Sequence, residues 1–335
     1  MTVLVTGAAG FIGGHVAKAL VAHGKRVIGI DNLNAYYDVN LKRARLDWIG
    51  RGGRFTFYRI DIADRERMEQ ALRAHPDIDC IVHLAAQAGV RYSMIDPFSY
   101  VSSNVMGHLV LAEIARALPG LKHFVYASSS SVYGGSENIP YHEDDRADMP
   151  LSLYAATKRA AELISYAYGH LFGVPQTGLR FFTVYGPWGR PDMAYFSFAR
   201  AILAGQAITV YDGGRPRRDF TYIDDVVTAI LRVLDAPPTG QEPTRVLNIG
   251  NRDDVPVSTM IEQLSEALGR KPIIEYVERP RADSPRTLAN CDRIRSLTGF
   301  QPSTPLKAGI ANFARWFQEW ETQGALVAAS VGHKP

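Results

Sequence analysis

A glycine-rich turn near the N-terminus constrains the fold of this chain more than any other stretch. The residues TGAAGFIG at 6–13 follow a short apolar strand pattern and precede an amphipathic helix pattern. Gly7, Gly10 and Gly13 allow a tight turn, close approach of the backbone to a pyrophosphate, and close packing of helix on strand. The next predicted strand, 26–30, ends at Asp31. This order predicts a βαβ unit that binds a dinucleotide.

The acid at the end of the second strand indicates which dinucleotide is bound. Asp31 can accept hydrogen bonds from the adenosine ribose and would repel a 2′-phosphate, so NAD is favoured over NADP. Lys42 and Arg43 lie nearby in the sequence and weaken that preference. The phosphates are expected at the positive end of the helix that begins near Phe11 and Ile12.

Strand and helix patterns continue to alternate after this unit. Strands are predicted at 54–60, 79–84 and 121–127, and helices at 64–73 and 97–118. Such alternation predicts an α/β fold with a doubly wound parallel Rossmann sheet, whose ligands bind at the carboxyl ends of the strands.

Polar or small residues follow each of these strands. Asp61 and Ile62 can meet the adenine, and the small residues of HLAAQAG at 83–89 leave room for a cofactor across the strand ends. Asn104 is a polar residue in an apolar helix pattern, and an exposed or capping asparagine explains it equally well.

A tyrosine and a lysine lie four residues apart in the alanine-rich stretch LYAATKRAAE at 153–162. A helix over this stretch projects Tyr154 and Lys158 from one face. A neighbouring lysine stabilises the phenolate and lowers a pKa that is ordinarily about 10. Tyr154 is therefore a candidate general base, although the pattern alone also fits an ordinary surface helix.

A run of four serines follows the strand at 121–127. The hydroxyls of Ser128, Ser129 and Ser130 are candidates to hydrogen-bond a substrate oxygen and relay its proton to Tyr154. The alternative is an ordinary polar loop. The candidate cofactor contacts are Gly7, Gly10, Phe11, Ile12, Gly13, Asp31, Asn32, Lys42, Asp61, Ile62, Leu84, Ala85, Ala86, Gln87, Asn104, Tyr154 and Lys158.

The pattern becomes less regular in the C-terminal half, which predicts a smaller α/β lobe interleaved with the last strands of the sheet. We expect an NAD-binding domain at 1–180, with later strands contributed from the C-terminal half, a substrate lobe at 181–324 and a loose tail at 325–335. Two terminal helices are expected to end near Trp320. Arg217, Arg218 and Arg281 lie in predicted loops, flanked by glycine, proline and aromatic residues. They suggest a diphosphate clamp, although surface arginines often serve only solubility.

Composition excludes several classes of function. The 335 residues are 46% hydrophobic and 21% charged, with a net charge of +3 and no block of lysine or arginine that would indicate nucleic-acid binding. Cys80 and Cys291 are too few for a disulfide framework or a metal site, which fits the cytoplasm. Neither a signal peptide nor an apolar run long enough to cross a membrane is present in the sequence.

The combination of TGxxGxxG, a strand-end acid, a serine loop, YxxxK and a second lobe resembles the extended short-chain dehydrogenase/reductase family over nearly the whole chain. Within it, the sequence is similar to NAD-dependent nucleotide-sugar epimerases. The stretches AAQAGVRYS at 85–93, RFFTVYGPWGRPDMAYF at 180–196 and RRDFTYIDD at 217–225 resemble UDP-glucuronate 4-epimerases in particular.

The resemblance implies roles for individual residues. Tyr154 is implied as the base, Lys158 as the residue that lowers its pKa and binds the nicotinamide ribose, and Ser129 as the third catalytic member, with Ser128 and Ser130 able to share that role. Thr183 is implied to contact the sugar, Arg190 the glucuronate carboxylate, and Arg218 and Arg281 the diphosphate. The full set of candidate substrate contacts is Arg91, Thr183, Arg190, Tyr195, Tyr211, Arg218, Arg281 and Asp283.

The resemblance also bears on the reaction. Relatives that dehydrate the sugar carry an Asp-Glu pair at the positions of Ser130 and Ser131, and those that decarboxylate glucuronate carry Glu at Ser131. This chain has only hydroxyls there, which favours 4-epimerisation of UDP-glucuronate. A UDP-glucose/galactose 4-epimerase, a UDP-glucuronate decarboxylase and an NAD-binding regulator remain alternatives. A homodimer is expected through the helices near 98–118 and 152–172.

Overall fold

The computed structural model describes residues 1–50, 53–241, 243–280 and 283–331. The strands are β1 (Thr2–Thr6), β2 (Arg26–Asp31), β3 (Phe55–Arg59), β4 (Ile78–His83), β5 (His123–Ser129), β6 (Gln176–Phe181), β7 (Thr183–Tyr185), β8 (Ala207–Tyr211), β9 (Arg217–Tyr222), β10 (Thr244–Ile249), β11 (Asp254–Pro256) and β12 (Ile273–Val277). The helices are α1 (Phe11–Ala22), α2 (Val39–Ile49), α3 (Arg65–Leu72), α4 (Pro97–Tyr100), α5 (Gly107–Ala117), α6 (Leu153–Phe172), α7 (Ala194–Ala204), α8 (Ile223–Leu234), α9 (Val257–Leu268), α10 (Asp292–Thr298) and α11 (Leu306–Val331). A π-helical turn, Val101–Met106, joins α4 to α5 and completes the long helix predicted at 97–118.

The centre of the molecule is a parallel sheet of seven strands in the order β10-β6-β5-β4-β1-β2-β3. Strand β1 is buried along its whole length: Val3 and Val5 join one apolar cluster while Leu4 joins the other. Alternate residues of a strand face opposite sides of a sheet, so helices must cover both faces. The predicted doubly wound parallel sheet is confirmed.

The strand order reverses beside β1, which is where open α/β sheets of this kind place their ligands. The predicted glycine turn, strand-end acid and serine run all lie at the carboxyl ends of β1, β2 and β5. The fold therefore brings these three motifs to one edge of the sheet.

The C-terminal half contributes to the central sheet as well as to a second lobe. Strand β10 pairs in parallel with β6, from Thr244 opposite Gln176 to Ile249 opposite Phe181, and α8 packs against α1. The remaining strands form a sheet in the order β11-β9-β7 and a pair, β12-β8. The interleaving agrees with the expected architecture, whereas the division into domains at 180/181 stays a prediction.

The structure corrects two local expectations and adds one helix. The predicted loop that carries Arg217 and Arg218 is strand β9, because pairing with β7 and β11 extends its backbone. The last helix does not end near Trp320: α11 continues to Val331, through an alanine-rich segment that favours helix. Helix α2 was not predicted. The tail expected at 325–335 stays a prediction, and 332–335 lie outside the described residues.

Candidate active site

A cavity of about 430 Å³ runs along the carboxyl edge of the sheet. It extends from the glycine turn after β1 to residues of the C-terminal lobe. The sequence-predicted site residues that line it are Gly7, Gly10, Phe11, Ile12, Gly13, Asp31, Asn32, Lys42, Asp61, Ile62, Leu84, Ala85, Ala86, Gln87, Ser128, Ser129, Ser130, Tyr154, Lys158, Thr183, Arg190, Arg218 and Asp283.

The glycine positions of this turn have no room for a Cβ atom. Gly7 has a positive φ of 70°, and a Cβ at Gly13 would lie 2.0 Å from the carbonyl oxygen of Gly7. Helix α1 begins directly after Gly10 and no side chain caps its first turn. Its free N–H groups and positive dipole end therefore face the cavity, as a pyrophosphate requires.

The ribose end of the cavity is built from acids at the ends of β2 and β3. The buried Asp31 carboxylate accepts hydrogen bonds from the backbone N–H groups of Ala9 and Leu33. Burial raises the pKa of Asp31, and the nearby Lys42 ammonium opposes that shift. The Asn32 amide donates to the Asp61 carboxylate at 2.8 Å. These contacts fix the acceptors that a ribose and an adenine would meet.

Asn104 was expected to contact the cofactor, but in the structure its side chain holds a loop. It does not line the cavity; its side chain accepts from the backbone N–H of Gln87 and donates to the carbonyl of Gln87 and to Thr157. The π-helical turn that contains Asn104 places it beside this loop. Asn104 thus positions the Gln87 loop, which lines the cavity.

Tyr154 and Lys158 lie on one face of α6, as the spacing predicts, and both line the cavity. Ser152 caps this helix by accepting from the N–H of Ala155. The Lys158 ammonium donates to the carbonyl of Ala127 at 3.1 Å, and burial lowers its pKa to about 8, with the Arg190 charge acting in the same direction.

The structure corrects the expected pKa of the tyrosine. Burial raises the pKa of Tyr154, while a side-chain hydrogen bond with Ser129 and the positive charge of Arg190 act in the opposite direction. The net shift is upward because desolvation of a phenolate outweighs these two stabilising interactions. A cation close to the phenol stabilises the phenolate and lowers the pKa of Tyr154, which favours the action of Tyr154 as a base.

The three candidate serines have different environments. The buried Ser128 hydroxyl donates to the Glu162 carboxylate at 2.6 Å, and that carboxylate is held in a buried ion pair by Arg180. Ser129 accepts hydrogen bonds from the backbone N–H and the hydroxyl of Ser131, at 3.2 and 3.0 Å, and is hydrogen-bonded with Tyr154. The geometry therefore favours Ser129 over Ser128 as the relay to Tyr154.

The opposite end of the cavity carries cationic and polar groups from the C-terminal half. Thr183 begins β7, and Arg190 follows it on the segment that leads to α7. Arg218 lies on β9 and donates to the carbonyls of Arg217 and Pro285. Together these groups offer an arginine, a threonine hydroxyl and a second arginine along one wall.

Three of the predicted substrate contacts do not line the cavity, and a fourth falls on a residue that the structure does not describe. Arg91 forms an ion pair of 2.9 Å with Asp283 and lies over the ring of Tyr211, 4.6 Å from its centroid, but neither Arg91 nor Tyr211 lines the cavity. Tyr195 is buried on α7 against Phe313. The fourth, Arg281, lies outside the described residues.

Sequence reasoning named Lys42 but missed Arg45, which lies one turn further along α2. Arg45 is fully buried and donates to the carbonyls of Ala9, Trp188 and Gly189 and to the hydroxyl of Tyr37. It connects the glycine turn to the segment just before Arg190. The signal was present: the helix N-cap Asp38 and the spacing of Leu41, Arg45 and Ile49 fit one buried face.

Known proteins provide an independent comparison. The sequence profile of the NAD dependent epimerase/dehydratase family matches residues 3–250. The chain belongs to this family. A probable UDP-glucuronate 4-epimerase of Rhizobium meliloti is 44% identical over 335 residues, covering 95% of this chain and 97% of that protein. UDP-glucuronate 4-epimerase 2 of Arabidopsis thaliana is 45% identical, covering 99% of this chain and 79% of that protein.

Solved structures of the epimerase/dehydratase family share the fold. The crystal structure of UDP-glucuronic acid 4-epimerase from Bacillus cereus, in complex with UDP-glucuronic acid and NAD, aligns with a TM-score of 0.88 at 32% identity, covering 96% of this chain and all of that one. As in other members, the cofactor of this chain is NAD. The close backbone packing at Gly7 and Gly13 and the start of α1, which no side chain caps, fit it.

Proposed function

We propose that this protein is an NAD-dependent 4-epimerase that interconverts UDP-glucuronate and UDP-galacturonate. The observation that carries the proposal is one cavity lined by Tyr154, Lys158 and Ser129 at its centre and by Thr183 and Arg190 at the sugar end. A base with a cationic neighbour serves oxidation of a hydroxyl, and an arginine serves recognition of a carboxylate.

Each central residue has a defined part in the reaction. Bound NAD accepts a hydride from carbon 4 of the sugar and later returns it to the opposite face. Tyr154 takes the proton of the carbon 4 hydroxyl and gives it back after the flat 4-keto sugar has rotated. Ser129 hydrogen-bonds the same oxygen and the phenol, and Lys158 holds the nicotinamide ribose and supplies positive charge.

The carboxylate creates a hazard that the site must control. A 4-keto glucuronate is a β-keto acid, which loses carbon dioxide when the bond to its carboxylate aligns with the carbonyl π-system. We propose that Arg190 and Thr183 hold the carboxylate out of that alignment. Arg190→Ala is then expected to raise the share of pentose product and to weaken the preference for a uronate over a neutral hexose. Unchanged product purity and preference in this variant would contradict this role.

The decisive experiment is incubation of the purified protein with UDP-glucuronate, without added NAD, followed by proton NMR. Formation of UDP-galacturonate without carbon dioxide release is expected. A pentose product would favour the decarboxylase, and conversion of UDP-glucose to UDP-galactose alone would favour the neutral-sugar epimerase. Loss of all turnover on every sugar, with NAD still bound, would favour an NAD-binding regulator.

We further propose a cytoplasmic homodimer. Helices α4 and α6 expose large apolar side chains, among them Phe98 at 84% and Leu163 at 56% of their surface. Exposed apolar surface of this kind is typical of protein interfaces.

Cys80 and Cys291 are both buried and unpaired, which agrees with a reducing compartment. Among the described residues no helix is long and apolar enough to cross a membrane. Sedimentation equilibrium tests the dimer.

A further inference from the structure

The arginine proposed to bind the sugar carboxylate already has a carboxylate partner. Arg190 Nε lies 2.9 Å from Asp192 Oδ1, and Arg190 Nη2 lies 2.6 Å from Asp192 Oδ2. This is a bidentate pair, in which one edge of the planar guanidinium meets both carboxylate oxygens. Both side chains are about a quarter exposed, at 24% and 27%. Arg190 lines the cavity, its partner Asp192 does not, and both groups are only partly solvated.

The carboxylate of Asp192 is held from a second side. The Tyr36 hydroxyl, which lines the cavity, donates to Asp192 Oδ2 at 3.2 Å. Gly89, with a φ of 101°, makes room for this hydroxyl, since a Cβ there would lie 2.6 Å from it. Asp192 is thus a fixed anion beside Arg190, and its place in the sequence, two residues after the arginine, gave no indication of that role.

We propose that Asp192 is a specificity-determining residue, a built-in counter-ion that competes with the sugar carboxylate for Arg190. This inference rests on the proposed function, because it concerns the same carboxylate subsite. A uronate that reaches Arg190 must share a guanidinium whose charge is already compensated, and its carboxylate is repelled by Asp192. A neutral hexose, in contrast, leaves the pair of Arg190 and Asp192 intact, so neither charge loses its partner.

The counter-ion has a use in catalysis. Substrate and product of a 4-epimerase carry the same carboxylate, so tighter binding of that group would favour both equally and would slow release of the product. Asp192 limits the affinity of the subsite while leaving enough of Arg190 to orient the carboxylate. It sets the preference for uronate at a moderate rather than a maximal level.

The test is to measure binding of UDP-glucuronate, UDP-glucose and UDP by calorimetry in the NAD-loaded Tyr154→Phe protein, with and without Asp192→Asn. Asparagine keeps the size of Asp192 and removes its charge. We expect UDP-glucuronate to bind about fivefold more tightly, UDP-glucose to bind more weakly, and UDP to bind equally. In an Arg190→Ala background the effect of Asp192→Asn on UDP-glucuronate is expected to differ from that in the parent protein, because only the direct repulsion between the two carboxylates remains.

A matched variant separates loss of this charge from loss of any carboxylate. Asp77→Asn removes an ion-paired carboxylate beside Arg26, away from the cavity. It is expected to change the dissociation constant of UDP-glucuronate less than twofold, within the range of a neutral surface change. Equal or weaker binding of UDP-glucuronate to Asp192→Asn, with UDP binding retained, would overturn the proposal.

The same experiment distinguishes failure of this inference from failure of the proposed function. If Asp192→Asn leaves UDP-glucuronate binding unchanged while the wild-type protein makes UDP-galacturonate, only the counter-ion role is refuted. If the wild-type protein does not convert UDP-glucuronate, the proposed function is refuted, and with it the substrate on which the inference rests.

Discussion

Replacing the serines after β5 one at a time should separate a structural hydroxyl from a catalytic one. In Ser128→Ala, Glu162 loses the 2.6 Å hydrogen bond from the serine but keeps both contacts with Arg180, each at 2.8 Å. A hydrogen bond to a buried charged group contributes about 1.5 to 3 kcal/mol. An unfolding entropy of about 2.1 cal/mol/K per residue converts a loss of about 2 kcal/mol into a melting temperature lower by roughly 3 °C. We expect kcat to change little.

Ser129→Ala should instead lower kcat and leave stability nearly unchanged. It removes the hydrogen bond to Tyr154 and the acceptor for Ser131, and Ser129 is less deeply buried than Ser128. Positioned proton transfer contributes about 10²- to 10⁴-fold, so kcat should fall by about 10²-fold or more while the melting temperature changes by less than about 1 °C. The hydrogen bond from Ser129 lowers the pKa of Tyr154, so its removal should raise that pKa. The acidic limb of the pH–kcat profile should then move to higher pH.

The assay is the initial rate of UDP-galacturonate formation by proton NMR, combined with thermal unfolding of the same NAD-loaded samples. Ser130→Ala serves as the third member, since Ser130 lines the cavity and was an alternative relay. The reasoning is refuted if Ser128→Ala loses activity at an unchanged melting temperature. It is equally refuted if Ser130→Ala loses more kcat than Ser129→Ala does.

Two further predictions concern the cofactor turn and acid stability. Gly13→Ala should reduce the NAD content of the purified protein, because the new Cβ would lie 2.0 Å from the Gly7 carbonyl oxygen. Gly14→Ala is the control, since the atom nearest to its Cβ is 3.5 Å away. Equal NAD content in the two variants would contradict the argument. Burial lowers the pKa of His108 from 6.5 to about 3. Between these two pH values the unfolded chain binds a proton at His108 that the folded chain excludes. The free energy of unfolding therefore decreases as the pH falls below 6.5. His108→Phe should make that decline shallower by up to about 1.4 kcal/mol per pH unit in chemical denaturation, and an unchanged slope would show that His108 does not contribute.

Much of the fold and of the central site could be predicted from local sequence patterns. The glycine turn, the acid after β2, the serine run and the pair Tyr154 and Lys158 each depend on neighbours within a few residues. A parallel sheet then brings strand ends together whatever the details of packing. For this reason the architecture, and the residues that meet at the centre of the cavity, followed from the spacing of the motifs.

The remaining features depend on contacts between distant parts of the chain. Asn104 reaches the backbone of Gln87, Ser128 is held by Glu162, and Arg45 joins the glycine turn to the segment before Arg190. None of these partners lies within one helical turn of the other, so no local period predicts them. Tyr195, expected at the substrate, is instead packed into the core.

The sequence by itself determined that this chain forms a dinucleotide-binding α/β sheet with Tyr154 and Lys158 on one helix face at its edge, because those properties follow from local periodicity and the steric demands of glycine. Only the tertiary structure decided the state of each group. Desolvation raises the pKa of Tyr154 and lowers that of Lys158, and the Asp192 carboxylate compensates Arg190. Burial and the distances between charges arise from packing of the whole chain, and these set the protonation of buried groups.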